Sequence, residues 1–171
     1  LRGGVGKTTG TISLASRAKQ YGFKTCIIDL DSQGAASLAF NKVPGENDLI
    51  FYDIWQKPEE RAGDALQKIE DDFYILPSSL ENGLLDISLI NPVNQKNAVN
   101  GVCRILKDLE FDLVIIDCPP SLGTAVISTI CAADIIVIPF CSDTFSMRGI
   151  EITMKEINSI CETFNLPIPR I

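Results

Sequence analysis

Histidine is absent from the 171 residues of this sequence, and its six cysteines include no CxxC pair. Zinc sites in proteins are built mainly from these two residue types at close spacing, so the sequence argues against a zinc-dependent function. Cysteines scattered in this way are typical of reduced thiols in an intracellular protein. We therefore expect a cytoplasmic location.

Long apolar runs are missing as well. Runs such as LVII at 113–116 and IIVI at 135–138 are short, whereas a helix needs roughly 20 apolar residues to span a bilayer. The opening residues lack a charged and then apolar leader, so we expect neither a membrane span nor a secretion signal.

Positive charge is also in deficit. The net charge of −7 argues against a protein that is basic over its whole surface and binds nucleic acid, although this number does not register a local basic patch.

The residues that are present favour one globular domain of the α/β class. Apolar residues make up 46% of the chain and charged residues 22%, which is the composition of a domain with a sizeable core. Apolar runs that suit strands buried on both faces alternate with stretches that suit helices, as in a parallel α/β sheet. No repeat, low-complexity tract or linker interrupts the pattern, so we expect a single domain over residues 1–171.

This alternation predicts where the elements lie. Strands are expected in TCIIDLD (25–31), at 73–76, in FDLVIID (111–117) and in ADIIVIPF (133–140). Helices are expected at 7–21, at 48–70 with a break at Lys57-Pro58, at 94–109, from a Ser121 cap to 133, and at 146–164. The carboxyl ends of such strands are where α/β proteins bind ligands.

The segment GGVGKTT at 3–9 is predicted to be a phosphate-binding loop. Its glycines let backbone N–H groups converge on an anion, and the helix that starts within the loop adds positive potential. Lys7 would neutralise phosphate charge, and the Thr8 hydroxyl would bind Mg²⁺. The usual G-x-x-x-x-G-K-[ST] pattern needs a glycine where this sequence has Leu1, so the loop is not of the ordinary form.

Two of the predicted strands end in aspartates. Asp29 and Asp31 end the first strand, in IIDLDSQGAAS, and Asp117 follows LVII later in the chain. A lone DxD at a strand end is more often a solvated turn, but this one follows a phosphate loop and its helix. A carboxylate placed like Asp117, where a buried strand emerges, can hold Mg²⁺, usually through a water.

Together these motifs resemble the ParA/MinD group of dimeric ATPases, whose deviant Walker A loop reads K-G-G-x-G-K-[ST]. Arg2 stands in the position of that group's signature lysine. The segment DLDSQG resembles the family's D-x-D-[PS]-Q-G, and DCPPSLG at 117–123 is similar to the ParA/Soj branch specifically. The later AADIIVIPF and SMRGIE also match the family pattern.

The resemblance implies a truncated, parallel-sheet P-loop NTPase with three α/β/α layers, and ATP and Mg²⁺ as cofactors. ATP would be bound by the loop residues Gly3, Gly4, Val5, Gly6, Lys7, Thr8 and Thr9. Mg²⁺ would be held by Thr8 and Asp117. The catalytic residues would be Lys7, Asp31, which positions the attacking water, and Arg2, which reaches across the dimer to the other subunit's phosphates.

The resemblance also implies partners. Two subunits would sandwich two ATP molecules, the dimer would bind DNA nonspecifically, and a ParB-type centromere-binding protein would stimulate hydrolysis during plasmid or chromosome partition. A cytoplasmic, nucleoid-associated protein without membrane contact is expected. Two alternatives stay open: a MinD-like membrane-cycling ATPase, against which PPSLG weighs, and a regulatory relative that binds ATP with little hydrolysis because Arg2 replaces the lysine.

The sequence is further expected to be a fragment of a longer chain. The strand that normally precedes a phosphate loop is missing before Gly3, and NLPIPRI leaves a helix for an apolar segment that ends at Ile171. We expect the isolated chain to be poorly stable, because a missing central strand leaves backbone groups of its neighbours unpaired.

Overall fold

The computed structural model describes residues 4–140 and 144–171. Its elements follow in the order α1 (Lys7–Gln20), β1 (Thr25–Asp29), α2 (Ala35–Ala39), α3 (Phe51–Ile54), α4 (Pro58–Ala65), β2 (Gln67–Glu70), β3 (Phe73–Leu76), a 3₁₀ helix (Leu80–Leu84), α5 (Leu85–Ser88), α6 (Pro92–Asp108), β4 (Leu113–Asp117), α7 (Thr124–Ala132) and α8 (Thr144–Phe164). The predicted alternation of strands and helices is confirmed.

The strands of the described residues form one sheet in the order β2-β3-β1-β4. β1 pairs in parallel with β3 on one side and with β4 on the other, and Asp29 is in register with Asp117. Three of the predicted strands therefore form a parallel sheet, as expected. All five residues of β1 are buried, because helices cover both faces of the sheet.

β2 corrects the prediction of helix over the whole of 48–70. α3 and α4 occupy the first part of that range and are separated near the predicted break, but the end of the range is a strand antiparallel to β3. Asp72 has a φ of 60° in the turn between the two strands, a left-handed conformation that aspartate tolerates better than most residues. Lys68 and Glu70 are exposed, as charged side chains on an edge strand commonly are. The sheet is therefore mixed, with one antiparallel strand at its edge.

Side chains of β1 alternate between two hydrophobic clusters, one on each face of the sheet. Ile27 packs in a cluster with residues of α1, α2 and β3, namely Ala15, Ala36, Phe73 and Ile75. Cys26 and Ile28 belong to a larger cluster formed with α3 to α6, whose members include Phe51, Leu85, Val102 and Leu106. Because successive residues of a strand point to opposite faces, one strand contributes to both clusters. The predicted three-layer α/β/α arrangement is confirmed.

The apolar run ADIIVIPF does not form the predicted strand. Its described pairing is one bridge between Ile135 and Arg170, in which Ile136 N–H donates to the Arg170 carbonyl oxygen at 2.8 Å. The side chains of Ile135 and Phe140 are 60% and 54% exposed. An apolar run is buried in a sheet only where neighbouring strands pair with it, and β4 has one partner, β1, among the described residues. The run therefore lies outside the described sheet.

The two long helices predicted at 94–109 and 146–164 correspond to α6 and α8. The Asn91 side chain caps α6 by accepting a hydrogen bond from Val93 N–H, and Pro92 occupies the first helical position, where an N–H would have no helical partner. Even α8, which has 21 residues, lacks the apolar character needed to cross a membrane, and so does every other helix in the described ranges.

α7 begins later than predicted, and the Ser121 cap is wrong. The helix starts at Thr124 with Gly123 as its N-cap residue. Its first turn lies against α5: the Thr124 hydroxyl is 3.0 Å from the Leu85 carbonyl oxygen and 3.1 Å from Asp86 Oδ1. A carboxylate near a helix N-terminus complements the helix dipole. Packing against α5 therefore decides where α7 starts.

Replacing Gly123 with alanine is expected to destabilise the fold. A Cβ there would overlap the Asp86 carboxylate and displace it from the Thr124 hydroxyl, although alanine can adopt the backbone φ of −87°. Loss of that hydrogen bond should lower the free energy of unfolding, measured by urea denaturation, by about 1 kcal/mol. In an Asp86→Ala background the same change should cost almost nothing. An equal cost in both backgrounds would show that the Asp86 contact is not the cause.

Candidate active site

The loop before α1 holds two glycines in a conformation that other residues rarely adopt. Gly4 has a φ of 80° and Gly6 a φ of 89°, and a Cβ added to either would meet no described atom within 4 Å. Backbone geometry rather than crowding therefore requires glycine here. Gly6 is the N-cap residue of α1, and its position carries no side-chain cap in the described structure, so the first N–H groups of the helix are available to an anion. Arg2 and Gly3 lie outside the described residues.

Asp117 is the last residue of β4 and is 1% exposed. The Thr11 hydroxyl donates a hydrogen bond to its Oδ1 at 3.3 Å, which ties α1 to the strand that carries the carboxylate. Oδ2 has no hydrogen-bond partner among the described residues. Burial raises the pKa of Asp117, while the hydroxyls of Thr8 and Thr11 and the charge of Lys7 oppose the rise. Thr8, Lys7 and Asp117 thus share one site.

Asp29 ends β1 beside Asp117 and is fully buried. Its Oδ2 accepts hydrogen bonds from Ser37 N–H at 2.9 Å and from the Ser37 hydroxyl at 2.7 Å, whereas Oδ1 has no partner in the described part of the chain. Burial raises the pKa of Asp29 to about 6, the Ser37 hydrogen bonds oppose this rise, and the charge of Asp117 adds to it. These contacts join Asp29 to the start of α2 and suit a residue that supports the end of the strand.

Asp31 lies two residues beyond β1 and is partly exposed. Gln33 N–H donates to its Oδ1 at 3.0 Å, and Gly34 N–H donates to its backbone carbonyl oxygen at 2.8 Å, which together make a tight turn. Its negative charge contributes to the raised pKa of Asp117, and both residues lie at the carboxyl edge of the paired strands β1 and β4. Unlike the buried Asp117, Asp31 is accessible to a water molecule at the edge of the sheet.

Most of the residues predicted for the site come together at the carboxyl edge of β1 and β4. Lys7 and Thr8 open α1 there, Asp31 follows β1, and Asp117 ends β4. The loop and the first turn of α1 also contain Gly4, Val5, Gly6 and Thr9. The chemical roles of these residues stay predictions.

The unpaired oxygen of Asp117 indicates what else the site can hold. A buried anionic oxygen without a partner is costly, and Oδ2 of Asp117 would gain one from a cation shared with the neighbouring Thr8 hydroxyl. Both groups are hard oxygen ligands, which suit Mg²⁺ better than softer metals. Across the described ranges no three His, Cys, Asp or Glu side chains form a metal-binding group. A Mg²⁺ shared by Asp117 and Thr8 would therefore take its remaining ligands from water and phosphate, as this ion commonly does.

Sequence reasoning missed three buried polar residues around Asp29 and Asp31. Ser37, Ser78 and Asn82 are each at most 3% exposed. The Ser78 hydroxyl donates to the Asp31 carbonyl oxygen at 2.7 Å, and Asn82 Nδ2 donates to the Asp29 carbonyl oxygen at 3.2 Å. The sequence could have indicated Ser78, because PSS directly follows β3 and the carboxyl ends of parallel strands lie at the same edge of the sheet. No pattern in the sequence singles out Asn82.

The raised pKa of Asp29 predicts a pH-dependent loss of stability in the absence of bound cations. Its folded-state pKa of about 6 lies above its ordinary value of 3.8. Between these values the native state binds more protons than the unfolded chain, so stability falls as pH rises from about 4 to about 6. Relative to Asp29→Asn, the wild-type free energy of unfolding should drop by about 1–3 kcal/mol across this window, measured by urea denaturation with a chelator present.

Asparagine is the matched replacement for this test, because it keeps an oxygen that can accept from Ser37. The burial of Asp117 contributes to both proteins, so the difference between them reports the titration of Asp29 together with its charge interaction with Asp117. Parallel stability curves for wild type and Asp29→Asn would contradict the prediction.

Comparison with known proteins identifies the family of the chain. The family model AAA_31, described as an AAA domain, matches residues 1–169. The chromosome-partitioning ATPase Soj of Treponema pallidum is 26% identical over 164 residues, which cover 96% of this chain and 63% of that protein. The chain spans about half to two thirds of the length of the curated relatives it matches.

Solved structures share the fold. Cobyrinic acid a,c-diamide synthase from Mycobacterium smegmatis, crystallised with an ATP analogue and magnesium, is 25% identical with a TM-score of 0.82, over 94% of this chain and 65% of that one. Apo McdA from Cyanothece is 22% identical with a TM-score of 0.89, over 99% of this chain and 67% of that one. The chain therefore belongs to the AAA_31 family of AAA domains and to the ParA/MinD group of P-loop proteins that its motifs resemble.

Proposed function

We propose that this protein is a ParA-type ATPase that binds ATP with Mg²⁺ and hydrolyses it during DNA partition. The observation that carries the proposal is the meeting of the phosphate loop, Asp31 and Asp117 at one edge of the sheet. Similarity to a chromosome-partitioning ATPase supports the partition role. A solved relative with an ATP analogue and magnesium supports the choice of nucleotide and metal.

Binding of the phosphates rests on α1 and its loop in this proposal. The N–H groups at the start of α1 present the positive end of the helix dipole to an anion. Lys7 adds a positive charge in the same site, close enough to Asp117 to oppose the rise of its pKa. Thr8 and Asp117 hold Mg²⁺, which when bound offsets the charge that develops on the phosphate oxygens. The buried hydrogen bond from Thr11 to Asp117 keeps the helix and the strand in a fixed relation.

Asp31 is the residue suited to orient the attacking water. Gln33 N–H holds its Oδ1 and so restricts the direction of the carboxylate. Its side chain is partly exposed, whereas Asp29 and Asp117 are buried. A carboxylate that accepts a hydrogen bond from water aligns that water for in-line attack on the terminal phosphate. Asp29, which accepts from Ser37, supports the end of the strand.

The finer steps of partition follow from the family resemblance. ATP binding joins two subunits with two ATP molecules between them, the dimer binds DNA nonspecifically, and a ParB-type protein stimulates hydrolysis. The protein then resides in the cytoplasm, in association with the nucleoid. Because a diamide synthase shares the fold, the fold alone does not favour a partition ATPase. The segment DCPPSLG at 117–123 does. The same segment disfavours a MinD-like membrane cycle.

One alternative has an observation in its favour. Arg2 replaces the signature lysine of the deviant Walker A loop, and arginine is a planar, bidentate donor rather than a compact point charge. A relative that binds ATP without hydrolysing it is therefore the second candidate. Substitutions at Asp31, Lys7 and Arg2 separate it from the first.

Asp31→Ala in the full-length protein should lower the rate of ATP hydrolysis by at least roughly a hundredfold, because the group that orients water is removed. Affinity for ATP, measured by titration with a fluorescent analogue, should change little, since the loop and Asp117 are intact. Lys7→Ala should instead lose affinity for ATP.

Asp108→Ala is the matched control for these variants. It removes the same side chain at the end of α6, which leads into the amino end of β4, and it should leave hydrolysis and affinity unaffected. Hydrolysis by Asp31→Ala at the wild-type rate would exclude the role of Asp31 in orienting water, whereas a wild-type protein that does not hydrolyse ATP would refute the proposed function.

Substitutions at Arg2 should separate a hydrolytic protein from a binding-only one. If Arg2 acts across the dimer like an arginine finger, Arg2→Ala should reduce turnover by roughly 10³–10⁵-fold and weaken ATP-dependent dimerisation. Hydrolysis is measured in the full-length protein with and without nonspecific DNA, and Arg2→Lys is the matched variant. Unchanged turnover and dimerisation in Arg2→Ala would exclude the role in trans. If wild type and Arg2→Ala are equally inactive and lysine restores activity, the natural protein is the binding-only relative.

A further inference from the structure

The loop and the 3₁₀ helix that follow β3 carry two buried polar side chains, Ser78 and Asn82, that nucleotide binding does not explain. β3 is the parallel neighbour of β1, with Ile28 paired to Leu76, so Ser78 and Asn82 lie at the same carboxyl edge as Asp31. Both side chains belong to residues that are 3% exposed. Buried polar atoms are costly unless they are hydrogen-bonded, so the partners of these two side chains indicate their role.

One chain of hydrogen bonds runs from Asn82 to the backbone of Asp31. Asn82 Nδ2 donates to the Ser78 hydroxyl oxygen at 2.8 Å, and that hydroxyl donates to the Asp31 carbonyl oxygen at 2.7 Å. Donors and acceptors follow in one direction, an arrangement in which each bond strengthens the next. The Asn82 amide is itself held, because its Oδ1 accepts from Tyr52 N–H at 3.1 Å and its Nδ2 also donates to the Asp29 carbonyl oxygen at 3.2 Å.

A second chain of hydrogen bonds ties the same loop to the carboxylate of Asp29. Ser78 N–H donates to the Ser37 hydroxyl oxygen at 2.9 Å, and that hydroxyl donates to Asp29 Oδ2 at 2.7 Å. Gly34 packs so closely against the loop that an added Cβ would lie 3.2 Å from the Ser78 carbonyl oxygen. Residues 29–37 and the loop after β3 therefore form one hydrogen-bonded unit.

Asp31 needs this support because it lies beyond the end of the strand. At the end of β1, Leu30 N–H still donates to the Asp117 carbonyl oxygen at 2.9 Å. One residue further on, the Asp31 carbonyl oxygen accepts from Gly34 N–H within its own turn and from the Ser78 hydroxyl. Of these two described bonds, the one from Ser78 connects Asp31 to another element of the fold.

We propose that Ser78 and Asn82 are positioning residues that hold the backbone of Asp31 so that its carboxylate meets the attacking water. This inference rests on the proposed function, in which Asp31 orients that water. Ser78 acts directly on the Asp31 carbonyl oxygen, and Asn82 keeps the Ser78 hydroxyl directed at it. Both residues lie outside the phosphate loop, so affinity for the nucleotide depends on other groups.

The first test compares Ser78→Ala with Ser79→Ala in the full-length protein. Ser79 is the adjacent serine, and its hydroxyl caps the 3₁₀ helix by accepting from Glu81 N–H, so its loss weakens the same loop without touching Asp31. Ser78→Ala should reduce kcat for ATP hydrolysis about five- to tenfold, with KM and affinity for ADP within about twofold of wild type. Ser79→Ala should leave kcat within about twofold.

Introducing Ser78→Ala into the Asp31→Ala protein distinguishes a positioning role from a general destabilisation of the fold. There Ser78→Ala should cause no further loss of rate, because the group that it positions is already absent. A full additional loss in that background, or an equal loss of kcat in Ser79→Ala, would overturn the proposal.

The second test, amide hydrogen exchange, needs no activity. The N–H groups of Gln33 and Gly34 bond to Asp31, so in Ser78→Ala they should exchange about five- to tenfold faster. The amide of Ile27 in β1 serves as the internal reference, and Ser79→Ala should exchange like wild type. If wild type does not hydrolyse ATP, the proposed function is refuted. Amide hydrogen exchange still tests whether Ser78 holds the backbone of Asp31. Faster exchange in Ser78→Ala alone supports the tether to Asp31, and unchanged exchange overturns it.

Discussion

The site depends on the parallel pairing of β1 with β4. This pairing sets Asp29 and Asp117 side by side at the carboxyl edge of the sheet. The hydrogen bond from Thr11 to Asp117 then brings the start of α1 against the same edge. A helix dipole, a lysine and several carboxylates meet there because two strands run in one direction. Were β4 reversed, Asp117 would lie at the far end of the strand, roughly 13 Å away, and the loop would face no carboxylate from that strand.

In the part of the chain that the structure describes, the buried side-chain oxygens without a hydrogen-bond partner lie at this edge of the sheet. Asp29 and Asp117 are buried, and each has one oxygen without a described hydrogen-bond partner. Burial raises the pKa of both carboxyl groups. The hydrophobic clusters on the two faces of β1 hold these groups in place. An unpaired oxygen next to the predicted phosphate loop would be satisfied by a bound ligand rather than by folding, in keeping with the way functional sites depart from local rules of stability.

Local patterns predicted those features that do not depend on distant residues. β1 is an apolar run because both faces of the sheet are covered. Gly4 and Gly6 have a left-handed φ, a conformation that favours glycine whatever residues surround it. β2 was not predicted because QKIE lacks the apolar pattern of a strand. It forms a strand through its pairing with β3. The run ADIIVIPF was predicted as a strand, since apolar character does not reveal whether a neighbour lies beside it. α7 starts later than predicted because α5, from a distant part of the chain, packs against its first turn.

By itself, the sequence determined the family of this protein. The order of phosphate loop, D-x-D and DCPPSLG indicated that family and predicted which groups would face phosphate and metal. The tertiary structure alone decided how those groups are supported. The hydrogen bond from Ser78 to Asp31 joins residues 47 positions apart and exists because β3 lies beside β1. Neighbours along the chain follow from the sequence, whereas neighbours across a sheet follow from strand order, which is settled only when the core packs.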